Sequence, residues 1–71
     1  MKPDDKIKAA IAAKLIRYRK AHHLTQAKMA VKLETKLKNL AAYEEQRATP
    51  PVSVIGKLCD LMNVQLKELI S

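Results

Sequence analysis

Glycine, cysteine and aromatic residues are scarce in this 71-residue chain, and each scarcity narrows what it can be. Cys59 is the single cysteine, so no disulfide can form within the chain. A lone thiol among Leu58, Leu61 and Met62 reads as a small apolar side chain suited to a reducing compartment. His22 and His23 are the only histidines, adjacent to each other and distant from Cys59. They read as loop residues, and they supply neither metal-ligand spacing nor a nucleophile–base set. One glycine excludes a glycine-rich phosphate loop. Tyr18 and Tyr43 are the only rings besides the histidines, too few for a surface that stacks unpaired bases. No apolar run approaches the roughly 20 residues of a membrane span. The first ten residues, MKPDDKIKAA, lack the apolar core and cleavage site of a signal peptide. The expectation is a single soluble, cytoplasmic domain over residues 1–71, complete as it stands, without metal, cofactor or catalytic activity. A core this small is marginal and relies on tight helix packing or a partner chain.

Acidic residues are also few, and unevenly spread. The chain carries fourteen Lys/Arg against seven Asp/Glu, a net charge of +7. Residues 1–40 hold eleven of those bases and only three acids, whereas residues 41–71 hold three bases and four acids. A basic half beside a near-neutral remainder implies a polyanion on one face. Nucleic acid fits better than membrane, because no segment joins a strong apolar face to aromatic anchors.

Helical periodicity runs through the whole chain. Ile7, Ile11, Leu15 and Tyr18 share one face of a first helix, with Asp4 or Asp5 as its cap and Arg17, Arg19 and Lys20 toward its C-terminal end. Thr25 is an N-cap for a two-turn helix over residues 26–32, with Met29, Ala30 and Leu33 turned inward. After a break at Glu34-Thr35, with Thr35 as cap, a third helix runs from Lys36 to about Glu44. In it Leu37, Leu40 and Tyr43 follow one another at i, i+3 steps. Lys28, Lys32, Lys36 and Lys38 stand between these apolar positions. Two short crossed helices with a basic outer surface describe a helix-turn-helix DNA reader over about residues 25–44. The loop 46–49 closes at Pro50-Pro51, prolines suited to a helix's first turn. Val52, Ile55, Leu58, Cys59 and Met62 then form a fourth amphipathic helix. Gly56 lies within it, where glycine permits close packing by a neighbour, and Asn63 reads as its left-handed cap. Val64 leads into a short final helix with Leu66, Leu69 and Ile70. The fold class is all-α, a compact five-helix bundle.

In this order the residues resemble the Cro/cI-type (XRE family) helix-turn-helix domains over roughly residues 11–70. The resemblance rests on Ile11, Leu15, Tyr18 and Arg19 in the first helix, Leu24-Thr25-Gln26, Met29-Ala30 and Leu33 in the second, and Tyr43-Glu44 ending the third. A basic loop to Pro50 and the closing Val64-x-Leu66-x-Glu68-Leu69 complete it. Four positions depart from the family pattern. Its glycines are His23, Glu34 and Gln46 here, and Thr35 replaces an aliphatic turn residue. Non-glycine residues in left-handed backbone cost about 1 kcal/mol each, so these turns are expected to be strained or re-routed, a change that bears on DNA binding.

The resemblance implies a lambda-repressor-like bundle whose third helix enters the major groove, with Lys36, Leu37, Lys38, Asn39 and Ala42 facing base edges. Asn39 suits adenine and Lys38 suits guanine or a phosphate; Leu37 either meets a thymine methyl or packs as core. Lys36 and Lys38 are otherwise a solvated helix face. Thr25, Gln26, Lys28, Arg47 and, more weakly, Arg17 are the implied phosphate contacts, although Thr25 also serves purely as a cap. Arg19 and Glu44 are the implied structural ion pair. The expected function is a sequence-specific double-stranded DNA-binding transcriptional regulator, a repressor acting as a homodimer through Val64, Leu66 and Ile70. The rival reading is an antitoxin-like module whose main partner is a toxin or other protein chain.

Overall fold

A computed structural model describes residues 3–70, with side chains from Asp5 onward, and contains five helices and no strand among those residues. The helices are α1 (Pro3–Ala21), α2 (Gln26–Lys32), α3 (Leu37–Glu44), α4 (Val52–Met62) and α5 (Leu66–Ile70). At about 1.5 Å per residue α1 is about 28 Å long, close to the molecule's longest dimension of 31 Å. It is the strut on which the others assemble, packing against α3 and α5, while α2 packs on α3 and α4 on α5. Proline suits a helix's first turn, where its missing N–H has no partner. Asp5 therefore lies inside the first turn instead of capping it, and the side chain of Asp4 lies outside the described residues.

Each helix contributes to one core. Ile11 and Leu15 come from α1, Met29 and Ala30 from α2, Leu40 and Tyr43 from α3, Val54 and Leu58 from α4, and Leu69 from α5. Leu33, fully buried at the end of α2, seals the corner before α3. Ile7, Tyr18, Cys59 and Val64 are half-buried against this cluster. At ~25 cal/mol per Å² of apolar surface removed from water, these side chains are the main favourable term holding the five helices together.

Four of the helices end in the same way. In each, the residue after the last turn adopts left-handed backbone: His23 at φ 55, Glu34 at φ 54, Gln46 at φ 62 and Asn63 at φ 55. Each end also closes with a paired bond set. The N–H of His23 donates to the Lys20 carbonyl at 3.2 Å and that of Leu24 to Arg19 at 2.9 Å. The same 5→2 and 6→1 pairs recur at Glu34 and Thr35, at Gln46 and Arg47, and at Asn63 and Val64. These are Schellman motifs, which satisfy carbonyls that the helix end leaves without partners. Asn63 is the left-handed cap its sequence predicts. At the other three positions the turn keeps its route and the backbone stays left-handed without glycine.

Several expectations need correcting. Thr35 does not cap α3; it supplies the last N–H of the α2 motif, and Lys36 stands at the cap position without a side-chain bond. Pro51 precedes α4 as its cap residue, outside the first turn. Val52 is 85% exposed and Val54 takes its place in the core beside the expected Leu58, with Ile55, Cys59 and Met62 packed against it. The apolar residues of this helix cover more than one stripe, so spacing alone admits either face. Gly56 is exposed, and a β-carbon there would meet nothing within 4 Å, so it admits no close neighbour.

Candidate nucleic-acid interface

The two helices over 26–44 form from local signals and are held by one polar network. Thr25 has extended backbone, and its Oγ1 accepts from the Lys28 N–H at 3.1 Å, which starts α2. Leu33 and the left-handed Glu34 then turn the chain through Thr35 into α3. One side of α3 is anchored by Leu40, Tyr43 and Glu44, all buried. Its first turn is the opposite in character. Lys36, Leu37 and Lys38 are exposed, Asn39 and Ala42 are half-buried, and the turn holds no acid and no side-chain cap. Leu37 is 49% exposed, so the inward position its spacing suggests is not taken. The positive end of a short helix thus emerges from the surface with two lysines beside it.

At the other end of α3, Glu44 binds three elements together. Arg19 Nε donates to its Oε2 at 2.7 Å and Arg19 Nη2 to its Oε1 at 3.1 Å, a two-point guanidinium–carboxylate contact. Gln26 Nε2 donates to the same Oε1 at 3.1 Å, and Arg19 Nη1 donates to the Leu24 carbonyl at 3.1 Å. The carboxylate is nearly sealed from water, at 5% exposure, and Arg19 at 18%. The expected Arg19–Glu44 pair is therefore present, and Gln26 joins it from the first position of α2. Sequence spacing gave no sign of the Gln26 contact, because residues eighteen apart meet only through the tertiary fold.

Around this frame the basic residues divide. Lys28, Lys32, Lys36 and Lys38 project into solvent from α2 and α3, and Arg47 is exposed on the loop that follows. Arg17 is elsewhere. It lines a shallow groove of about 330 Å³ with Tyr18, Ala21, His22, Leu61 and Met62, between the C-terminal ends of α1 and α4. Arg17 lies two residues from Arg19 on α1, and steps of about 100° per residue put the two on nearly opposite flanks. The rings of Tyr18 and His22 meet in this groove at 4.1 Å between centroids.

Two acid–base contacts escape any reading of the sequence. Glu34, in the turn, pairs with Lys57 of α4 at 2.6 Å, and this bond and charge hold its carboxyl below the usual glutamate range. Glu45 engages Arg47. Neither pair has the helical i, i+3 or i, i+4 spacing by which a sequence shows an ion pair. Among the described residues no three His, Cys, Asp or Glu gather as a metal set, and no helix is long and apolar enough to cross a membrane.

The helix-turn-helix family model matches residues 15–69, most of the chain. The chain belongs to that family, as a DNA-binding domain of the Cro/cI type associated with transcription regulation. No curated protein and no solved structure matches it.

Proposed function

We propose that the chain is a sequence-specific repressor that binds double-stranded DNA as a homodimer. The observation that carries this reading is the first turn of α3, an exposed, acid-free, uncapped helix start bearing Lys36, Leu37 and Lys38 above a buried anchor. Lys36, Leu37, Lys38, Asn39 and Ala42 face the bases. The exposure of Leu37 favours a thymine methyl as its target over a core role. Thr25, Gln26, Lys28 and Arg47 meet phosphates. Arg17, on the far flank of α1, has the least support of the five. Dimerisation uses α5 and its approach, where Leu66 is 53% exposed and Ile70 is exposed beside it, with Val64 at the edge of the core. A second copy is needed because one short helix reads only a few base pairs.

Selection of preferred sites from random duplexes tests the reading. A paired half-site spaced by about one helical turn, ~34 Å, is the expected product. Asn39→Ala then costs ~1–3 kcal/mol on that site and relaxes preference at one position, whereas Lys28→Ala weakens all sequences alike. Enrichment of no sequence over random DNA would rule out specificity. Equal losses for both variants on specific and random duplexes would overturn the division of roles.

A further inference from the structure

Glu45 and Arg47 stand on either side of the left-handed residue Gln46, where the Schellman turn that ends α3 folds the chain back on itself. The turn brings side chains two residues apart face to face. Arg47 Nε donates to Glu45 Oε1 at 3.4 Å, and Arg47 Nη2 to Oε2 at 3.2 Å. Both groups remain mostly in water, at 61% and 58% exposure, so the contact opens readily. Its place gives no stability argument for the acid. A carboxylate at the C-terminal end of a helix faces the negative end of the macrodipole, and the neighbouring Glu44 already holds the structural bonds to Arg19 and Gln26. What Glu45 does offer is a pair of oxygens aimed at the guanidinium fork, the pattern that a phosphate offers.

We propose that Glu45 is an internal stand-in for a DNA phosphate on Arg47, so that this arginine reaches the DNA backbone by exchange of one anion for another. The inference rests on the DNA-binding reading above. Exchange makes Arg47 a weak contributor to net affinity. The counterion that leaves the DNA is matched by one drawn to the freed Glu45, and the contact adds little to the salt dependence. Sequence-independent attraction is thereby kept low, and a larger share of the discrimination is left to α3.

Four proteins test it: the natural chain, Glu45→Gln, Arg47→Gln and the double variant. Each is titrated by fluorescence anisotropy against a selected-site duplex and a random duplex across a salt series. Glu45→Gln should bind both duplexes about two- to fivefold tighter, the worth of an exposed ion pair. Its log K against log salt should steepen by about 0.9 per chain. Arg47→Gln should change little in the natural chain and should abolish most of that gain in the Glu45→Gln background. If the gain survives undiminished without Arg47, Glu45 acts by direct repulsion of phosphate and the exchange is overturned. The exchange is equally overturned if the natural chain binds DNA and Glu45→Gln binds it no better. Failure of all four to bind duplex at low salt would overturn the DNA-binding reading together with this one.

Discussion

Asn63 is the residue type that, after glycine, best tolerates left-handed backbone, yet His23, Glu34 and Gln46 hold nearly the same φ, also without glycine. The chain's one glycine meanwhile sits in the exposed middle of α4, where it gains no close contact and weakens the helix. His23→Gly, Gln46→Gly and Gly56→Ala should therefore each stabilise the fold by about 0.5–1 kcal/mol. Urea midpoints at an unchanged slope would measure this, and a loss of stability at His23 would show that its turn is not strained. Glu34 differs, because its carboxylate is bonded to Lys57. Its folded pKa lies below its unfolded value, so the pair's contribution is present above the unfolded pKa and fades as pH falls through the folded one. A carboxyl titration by NMR should show Glu34 below the usual glutamate range, and Lys57→Met should return it there. Identical titration curves in the two proteins would mean that the pair does not persist in solution.

Among the helices, α3 has two jobs that conflict. Under the proposed reading its first turn has to stay exposed, yet eight residues are too few to hold a helix in place without anchors. Leu40 and Tyr43 provide the apolar anchor, and Glu44 provides the polar one through Arg19 of α1 and Gln26 of α2. Removing either member of a buried pair leaves the other charge poorly solvated, at a cost of about 3 kcal/mol or more. Arg19→Met and Glu44→Gln should each destabilise the fold strongly, and the double variant should cost clearly less than their sum. A double-mutant cycle by denaturant unfolding reads that coupling. Additive losses would mean that Leu15, Tyr18 and Tyr43 packing alone holds α1 to α3.

For the molecule as a whole, charge is separated along the chain and the fold keeps much of it on the surface. Lys28, Lys32, Lys36 and Lys38 remain exposed on α2 and α3, while Lys14 of α1 is drawn to the Glu68 carbonyl of α5. If ~4–8 phosphates are neutralised per dimer, log K for duplex DNA should fall with log salt at a slope of about −4 to −7. Anisotropy titrations from low to moderate salt would give the slope. A value near zero would separate this chain's basic surface from DNA.

The order of five helices, the bounds of α2 and the inward positions of Ile11, Leu15, Met29, Leu33 and Leu40 were legible in the sequence. So was the left-handed cap at Asn63. Periodicity and capping chemistry act over a few residues, and a few residues are enough to read them. The Arg19–Glu44 pair and the three glycine-like turns were legible only through resemblance to a family, since no local rule joins residues 25 apart. Tertiary structure decided the rest. It chose Val54 over Val52 for the core, because an apolar surface this wide admits two faces and only the neighbouring helices select one. It turned Leu37 outward, drew Gln26 to Glu44 and set Arg17 in the groove against α4. Each of those outcomes depends on where a side chain points once the helices cross, and helix crossing is a property of packed surfaces that no short stretch of sequence contains.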